Sequence, residues 1–253
     1  MEGHDADQFT RDHFFRGKLT VLQPRRGYRF SLDAPMLAGF LPLMPTTAAL
    51  EVGTGCGIIS LMGLALGRFR SVRAIEVQPR LCDLAVRNAG LNGYDERMQV
   101  ICGDFLSMRD GLEPQALVFS NPPYFPLGRG RLSAVEEVRD ARFETRLSLA
   151  DFMEALASLL SGEGKACLIL PALREKELMD LGVQLGLFPR RLRRVHSFAH
   201  DKPGRFLVQL ERHRGDIDLL PPLVVFRSEG EYSREMESLL SGRDYDKQDS
   251  GTG

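Results

Sequence analysis

Apolar residues recur along the chain in two alternating patterns, as short continuous runs and as segments with helical spacing. The short runs are typical of buried strands, and they end near Val52, Val77, Ile101, Ser120 and Leu170. The helical spacing predicts helices at Asp33–Leu41, Ile58–Leu66, Pro79–Leu91, Leu149–Leu160 and Arg174–Leu185. Because strands and helices alternate, the strands pair in parallel through right-handed crossovers, and the pattern predicts a doubly wound α/β sheet.

The pattern changes at both ends of the chain. Towards the carboxyl end, Arg191–Ser197 and Arg205–Glu211 flank a turn and predict an antiparallel pair at the sheet edge. At the amino end, an arm to about Arg16 precedes Lys18–Gln23 and Tyr28–Phe30, which predict a hairpin. We expect residues 1–45 to form an arm and hairpin that packs on the functional site, residues 46–241 to form one domain, and residues 242–253 to be a disordered tail.

The strand that ends near Val52 continues through closely spaced glycines into the next helix, as Glu51-Val52-Gly53-Thr54-Gly55-Cys56-Gly57-Ile58. A strand, a glycine turn and a helix start predict a ligand held against the helix N–H groups. The dinucleotide fingerprint G-x-G-x-x-G would need a glycine where Ile58 stands, so the spacing disfavours a nicotinamide or flavin site. The phosphate loop G-x-x-x-x-G-K-[ST] does not occur in the sequence, which excludes that class of nucleotide site.

Acidic residues follow the next two strands. Glu76 comes about 20 residues after the glycines, where nucleotide-type ligands present ribose hydroxyls, and we interpret it as a hydroxyl acceptor. The third strand runs into Cys102-Gly103-Asp104-Phe105. This segment offers an acidic acceptor for an exocyclic amine beside an apolar wall for a purine.

The fourth strand ends at Asn121-Pro122-Pro123-Tyr124. Proline has no N–H to give to a strand ladder, so the chain must turn there. The turn presents an amide side chain, a backbone carbonyl and an aromatic face, which are the parts needed to hold a planar amino group. We interpret it as a site for chemistry on nitrogen, although an isolated Pro-Pro can also simply end a buried strand.

This order of motifs resembles the class I S-adenosylmethionine-dependent methyltransferases, and Asn121-Pro122-Pro123-Tyr124 resembles the fourth motif of their amino-methylating branch. Together with that motif, two flanking segments are similar to the tRNA1(Val) adenine N6-methyltransferase family. They are Gln23-Pro24-Arg25-Arg26-Gly27-Tyr28-Arg29-Phe30-Ser31-Leu32-Asp33, and Leu223-Val224-Val225-Phe226 followed by Glu231-Tyr232-Ser233. The chain departs from the family in its polar segment Ser241–Ser250, which replaces the usual terminal aromatic run.

The resemblance implies a Rossmann-like fold with a mostly parallel seven-stranded sheet, an antiparallel carboxyl-terminal edge and an amino-terminal hairpin. It implies S-adenosyl-L-methionine as cofactor, S-adenosyl-L-homocysteine as product, and methylation of N6 of an anticodon-loop adenine in tRNA. The cofactor residues it implies are Glu51, Gly53, Thr54, Gly55, Gly57, Glu76, Val77, Asp104, Phe105 and Asn121. The catalytic residues are Asn121, Pro122 and Tyr124: the Asn121 side-chain oxygen and the Pro122 carbonyl accept hydrogen bonds from the target amine, and Tyr124 stacks on the flipped base.

The net charge of −1 gives the nucleic-acid interpretation no support, because many nucleic-acid binders are strongly basic. The positive residues are nevertheless grouped. The expected RNA-contacting residues are Arg25, Arg26, Arg29, Pro123, Arg190, Arg191, Arg193, Arg194, Lys202 and Arg205. One group lies at the amino end, with Arg25, Arg26 and Arg29, and the other runs from Arg190 to Arg205. Either group is alternatively explained as a solvated face, because arginine-rich edge strands also prevent unwanted strand pairing.

Composition fits one enlarged domain, since 43% of the 253 residues are apolar. No apolar run approaches the roughly 20 residues that span a bilayer, and the first residues lack a signal pattern. We therefore expect a cytoplasmic protein without membrane contact, as a monomer or weak dimer.

Metal and disulfide sites are not expected. The cysteines are far apart and mostly lie in apolar surroundings, so we expect reduced, buried thiols at Cys56, Cys82, Cys102 and Cys167. His196 and His200 are four residues apart, but no cysteine or carboxylate completes a metal-binding set.

Two further functions stay open on the residues alone. A carboxamide presents the same planar NH₂ as adenine, so the motif also fits glutamine methylation of a release factor. The methyltransferases that modify release factors usually carry a larger helical domain in front of the glycine loop, for which this chain has little room. The third possibility is a non-catalytic RNA-binding module with a degenerate methyltransferase fold, and the intact Asn121 and glycine loop argue against it.

Overall fold

The structure, a computed structural model, describes residues 9–25, 31–122 and 148–243. Its strands are β1 (Phe9–Phe14), β2 (Leu19–Pro24), β3 (Met44–Val52), β4 (Phe69–Glu76), β5 (Met98–Cys102), β6 (Gln115–Ser120), β7 (Leu160–Pro171), β8 (Phe188–His196), β9 (Arg205–Glu211), β10 (Asp218–Leu219), β11 (Leu223–Val224), β12 (Phe226–Ser228) and β13 (Glu231–Tyr232). Its helices are α1 (Asp33–Phe40), α2 (Ile58–Ala65), α3 (Pro79–Leu91), α4 (Phe105–Met108), α5 (Leu149–Leu159), α6 (Glu175–Gln184) and α7 (Arg234–Ser241). Two 3₁₀ turns lie at Arg109–Gly111 and Ala172–Arg174.

A nine-stranded sheet runs through the described part of the chain. From edge to edge its order is β10, β8, β9, β7, β6, β3, β4, β5, and β11 also pairs with β8. The strands from β3 to β7 pair in parallel, whereas β9 lies antiparallel to both β7 and β8. This order confirms the Rossmann-like fold with an antiparallel edge, and β10 and β11 are two-residue additions to it.

Helices cover both faces of the sheet. One apolar cluster lies under α1, α2 and α3 and contains Phe69 stacked on Phe119, with ring centroids 5.5 Å apart. A second cluster lies under α5 and α6, around Phe152. Alternate residues of β6 divide between them, since Leu117 and Phe119 belong to the first and Val118 to the second. Because both faces are covered, the parallel strands appear in the sequence as continuous apolar runs.

Local sequence explains where the helices begin. Pro79 opens α3, a position at which its missing N–H costs nothing. Ser148 and Asp151 form a reciprocal capping box at the start of α5, which satisfies two N–H groups that have no partner within the helix. Both helices then bury residues at three- and four-residue spacing, as an amphipathic helix on a sheet requires.

The hairpin ahead of the sheet differs from the one that the sequence predicted. Lys18–Gln23 overlaps β2, but β2 pairs with β1, which had been taken for an arm, and residues 26–30 lie outside the described part of the chain. The prediction was wrong for β1 because none of its side chains is fully buried, so its sequence contains no apolar run. The predicted disordered tail also lies almost entirely outside the described residues.

The cysteines need a second correction. Cys82 in α3 and Cys102 at the end of β5 form a disulfide, with Cα atoms 5.7 Å apart. The expectation of reduced thiols is wrong for this pair, because their sequence separation of 20 does not reveal that α3 packs beside β5. Cys56 and Cys167 are free, and burial raises the pKa of each thiol to about 12.

Thiol titration checks this pairing. The denatured protein should show two reactive thiols without reductant and four after reduction, because two of the four cysteines are paired. A double variant with Cys82→Ser and Cys102→Ser should show two under both conditions, which controls for complete reaction of the free thiols at Cys56 and Cys167. Four reactive thiols in protein purified without reductant would contradict the disulfide.

Candidate active site

The carboxyl ends of four parallel strands meet at one edge of the sheet. Val52 at the end of β3 is paired with Ile75 of β4 on one side and with Ser120 of β6 on the other. At the next position along, Glu76 of β4 is paired with Cys102 of β5. The four motifs that follow these strands therefore lie side by side, with neighbouring strands about 4.8 Å apart.

The glycine loop between β3 and α2 depends on backbone conformations that favour glycine. Gly53, Gly55 and Gly57 have φ of 73°, 59° and 88°. A Cβ at Gly57 would also lie 2.7 Å from Cε of Met98. Gly57 is the N-cap of α2 and has no side chain, so the N-cap residue itself supplies no cap to the first N–H groups of the helix. The loop thus forms a cradle in which a ligand can approach the backbone closely.

A buried carboxyl group lies beneath this loop. Glu51 is fully buried, and its Oε2 accepts hydrogen bonds from the hydroxyls of Thr54, at 2.6 Å, and Ser60. Its Oε1 is buried and has no hydrogen-bond partner. Burial raises the pKa of Glu51 to about 7, although the bonds from Ser60 and Thr54 act in the opposite direction. One oxygen of this carboxyl is therefore left for a donor that the described residues do not supply.

A second carboxylate holds the loop in shape from the neighbouring strand. Glu76 accepts hydrogen bonds from the backbone N–H of Gly55 at 2.8 Å and of Gln78 at 2.9 Å, one on each oxygen. It is 5% exposed, and burial raises its pKa. Each carboxylate oxygen can accept more than one hydrogen bond, so Glu76 keeps acceptor capacity for ligand hydroxyls.

Apolar and acidic residues follow beside Glu76. Val77, directly after the β4 carboxyl end, is an exposed apolar residue, at 38%. Asp104 caps α4 by accepting the Leu106 N–H at 3.1 Å, and it is exposed. Phe105 is buried and packs on Phe152, with ring centroids 6.1 Å apart. Val77 therefore offers an open apolar surface, while Phe105 belongs to the buried cluster under α5.

Asn121 and Pro122 stand at the carboxyl end of β6, next to the glycine loop. The Ser120 hydroxyl donates to the Val52 carbonyl at 2.6 Å, which ties this end of β6 to the end of β3. Asn121 is half-buried and Pro122 is buried. Pro123 and Tyr124 lie outside the described residues.

The basic residues divide into two sets. Lys202 is exposed in the loop between β8 and β9, and Arg205 begins β9 opposite Pro171, at the same sheet edge as Asn121. Arg205 pairs with Asp33 at 3.5 Å. This contact brings the start of α1 to the same edge. Arg26 and Arg29 lie outside the described residues.

The other arginines lie on β8 and have carboxylate partners. Arg190 and Arg191 lie near the amino end of β8, away from the Asn121 edge, and pair with Glu211 at 4.0 Å and Asp218 at 3.7 Å. Nearer the site, two more ion pairs, Arg193 with Glu235 and Arg194 with Glu175, each measure 2.6 Å. These pairs connect β8 to the helices α7 and α6, so the guanidinium groups have a structural role in this conformation.

Sequence reasoning missed several polar and aromatic groups near the site. Ser60 donates to Glu51. The side-chain amides of Asn88, which is buried, and Asn92, which is half-buried, bind the hairpin, and their spacing of four residues was the only signal for them. In the loop after β8, His200 stacks on Phe198 with ring centroids 5.8 Å apart. A histidine and an aromatic residue two apart in a loop gave no recognisable pattern.

No group of three or more histidine, cysteine, aspartate or glutamate side chains among the described residues is placed to hold a metal ion. His196 Nδ1 instead lies 2.7 Å from the Asp201 carbonyl oxygen. Within the described ranges, no helix is both long and apolar enough to cross a membrane.

Comparison with known proteins finds relatives by sequence and solved structures with a similar fold. No family model matches the chain. A protein of Porphyromonas gingivalis named tRNA1(Val) (adenine(37)-N6)-methyltransferase is 31% identical over 194 residues, which are 74% of this chain and 75% of that protein. A protein of the same name from Pectobacterium carotovorum is 29% identical and covers 93% of this chain and 96% of its own length. The crystal structure of a predicted O-methyltransferase from Agrobacterium tumefaciens matches with a TM-score of 0.62 at 18% identity, covering 83% of this chain and 96% of that one, which shows the shared fold.

Proposed function

Because the chain belongs to the tRNA1(Val) (adenine(37)-N6)-methyltransferase family, we propose that it uses S-adenosylmethionine to methylate N6 of an anticodon-loop adenine in a tRNA1(Val)-type tRNA. The observation that carries this proposal is the pairing of Val52 with Ser120. Gly53 and Asn121 follow those two residues directly, on strands about 4.8 Å apart. A cradle for the methyl donor and an acceptor for the target amine thus share one edge of the sheet.

The residues present fit the methionine part of S-adenosylmethionine. The buried, unpaired Oε1 of Glu51 matches the positively charged ammonium group of an amino acid, which would satisfy the one oxygen that lacks a donor. Gly53 and Gly55 remove side chains from the backbone that would contact the ligand. Thr54 holds Glu51 from the other side.

The adenosine part fits the two neighbouring strand ends. The remaining acceptor capacity of Glu76 suits the ribose hydroxyls, which lie where this strand ends. Val77 presents the exposed apolar surface that an adenine ring would cover. Asp104 stands on the next strand end, where its carboxylate can accept the exocyclic amine, and the buried Phe105 directly follows it.

The target amine would be held by Asn121 and Pro122. When bound, S-adenosylmethionine supplies an activated methyl group on a sulfonium. The Asn121 Oδ1 and the Pro122 carbonyl accept hydrogen bonds from the two amine protons, which directs the nitrogen lone pair away from the ring and towards the donor. No strong base is required, because the methylated amine loses its extra proton readily. Pro123 and Tyr124 complete the motif, and Tyr124 is assigned to stacking on the flipped adenine.

The tRNA would reach this site over the sheet edge that carries Lys202 and Arg205. Arg25, which directly follows β2, is assigned to the same path. The remaining arginines, which are Arg190, Arg191, Arg193 and Arg194, would contact phosphate only by exchanging their carboxylate partners. Arg26 directly follows Arg25, and Arg29 lies three residues further on in the sequence; both extend this assignment.

Replacing Asn121 tests the chemistry. Asn121→Ala should lower kcat for tRNA methylation by about 100-fold, because it removes an acceptor needed in the transition state. The affinity for S-adenosylhomocysteine, measured by calorimetry, should stay within a few-fold of the wild-type value. Nucleoside mass spectrometry of the tRNA identifies the product as N6-methyladenosine. Full activity of this variant, or methylation only of a release-factor glutamine, would refute the proposal.

Burial of Glu51 gives the cofactor site a pH signature. Its pKa is raised to about 7, so at pH 6 the carboxyl is mostly protonated in the free protein. An α-amino group is positively charged at that pH. Binding it beside Oε1 favours the ionised carboxylate, so binding of S-adenosylhomocysteine at pH 6 should release protons.

Calorimetry in buffers of different ionisation enthalpy measures this release. Glu51→Gln provides the matched control, since glutamine cannot titrate and the share of the buffer dependence that comes from Glu51 should disappear. The raised pKa of Glu51 also makes the stability of the free protein depend on pH. The contribution of Glu51 to the free energy of unfolding is fully present below its unfolded-state pKa of 4.5 and is lost as the pH rises through about 7. Equal binding enthalpies in all buffers for the wild-type protein would argue against Glu51 as the ammonium acceptor.

A charge reversal at the sheet edge tests the RNA path. Lys202→Glu should raise the KM for tRNA several-fold and lower the slope of log affinity against log salt by about 1, because one phosphate contact is lost. Arg70→Glu makes the same change of charge near the amino end of β4, at the opposite edge, and is the control. Cofactor affinity and melting temperature should be unchanged in both variants. Equal effects of the two reversals would show that only overall charge matters.

A further inference from the structure

Asn88 of α3 and Asn92, the residue directly after α3, bind the same strand of the hairpin. Asn88 Oδ1 accepts the Leu22 N–H at 2.8 Å, and its Nδ2 donates to the Leu22 carbonyl at 3.0 Å. Asn92 repeats the arrangement at Thr20, with bonds of 2.9 Å and 2.8 Å. Each side-chain amide therefore takes the place of a residue in a neighbouring strand.

The spacing of the two asparagines explains why this works. Four residues of an α-helix advance about 6 Å, and two residues of a strand advance about 6.6 Å. Asn88 and Asn92 therefore meet alternate residues of β2, Leu22 and Thr20. Alternate residues direct their backbone N–H and carbonyl groups to the same side of a strand, so the two amides cover the edge of β2 that β1 leaves open.

Only Asn88 has a further bond that reaches the glycine loop. Its Nδ2 also donates to the Cys56 carbonyl at 2.9 Å, and the residue is 0% exposed. Both Nδ2 hydrogens are thus used, one on the hairpin and one on the loop between Gly55 and Gly57. A single buried amide connects β2, α3 and the loop that the proposed function assigns to the cofactor.

We propose that Asn88 is a positioning residue through which the affinity of the glycine loop for S-adenosylmethionine depends on the β1–β2 hairpin. If β2 moves away, Asn88 keeps a buried amide without its Leu22 partners, and an unsatisfied buried group carries a large desolvation cost. The side chain must then turn, which withdraws its donor from Cys56 and frees the loop. By thermodynamic reciprocity, ligand bound in the loop stabilises the docked hairpin to the same extent. This inference rests on the proposed function only in taking the loop as the cofactor site.

A comparison of Asn88→Ala with Asn92→Ala tests the proposal. Both variants lose two hydrogen bonds to β2, but only the first loses the bond to Cys56. We expect the Kd for S-adenosylhomocysteine to rise about tenfold in Asn88→Ala and to stay within about twofold in Asn92→Ala. Calorimetry gives the Kd, and thermal melting shows the loss of stability separately. Equal Kd values in the two folded variants would overturn the proposal, because they would give Asn88 a purely structural role.

Hydrogen exchange on the wild-type protein tests the coupling between the glycine loop and the hairpin even if Asn88→Ala does not fold. Saturation with S-adenosylhomocysteine should slow exchange of the Leu22 amide several-fold, and that of Thr20 less. Slower exchange confined to the glycine loop, with Leu22 unchanged, would overturn the coupling. If the wild-type protein binds no S-adenosylhomocysteine, both the proposed function and this inference are refuted. If the wild-type protein binds normally and the two variants have equal Kd values, only the inference is refuted.

Discussion

The register in which β3 pairs with its two neighbours is the constraint on which the rest of the structure depends. Val52 lies opposite Ile75 on one side and Ser120 on the other. A slip of one residue would turn every side chain of the strand to the opposite face of the sheet, moving Leu50 out of the cluster under α5. The same slip would separate Gly53 from Asn121. Burial of the core and placement of the proposed chemistry are therefore fixed by one set of backbone hydrogen bonds.

Buried polar groups stabilise the irregular backbone that follows these strands. The glycine loop cannot form a regular ladder, so Glu76 and Asn88 supply the acceptor and donor that its Gly55 N–H and Cys56 carbonyl need. Each of the two has further partners, Gln78 for Glu76 and Leu22 for Asn88. Glu51 is the exception, because one of its oxygens has no partner among the described residues. An incompletely satisfied buried carboxyl group raises the free energy of the folded state, and this makes the position informative about the ligand.

The sequence was sufficient for the elements whose signal is local. The predicted strand ends at Val52 and Ser120 agree with the structure, and the predicted α3 has the same bounds, because covered strands and amphipathic helices leave unambiguous patterns. β1 was missed because an edge strand with no fully buried side chain has no such pattern. The disulfide, the Asn88 bonds and the arginine ion pairs depend on which distant segments meet. Spacing along the chain carries no information about those contacts, so the roles of these residues could only follow from the fold.

The ion pairs on β8 change the meaning of its arginine-rich sequence. Arg193 and Glu235 are each only 17% exposed in their side chains, so this pair is better shielded from solvent than an ordinary surface salt bridge, which contributes little. Arg194 and Glu175 join the same strand to α6. β8, which is paired with the short strands β10 and β11 at the end of the sheet, is thereby held against helices on both sides. Its positive charge is locally balanced, in keeping with the net charge of −1. Long-range attraction of RNA by this strand is correspondingly weak. Under the proposed function, selection of the substrate must then depend on few phosphate contacts and on recognition of the flipped base itself, which is where Asn121 and Pro122 lie.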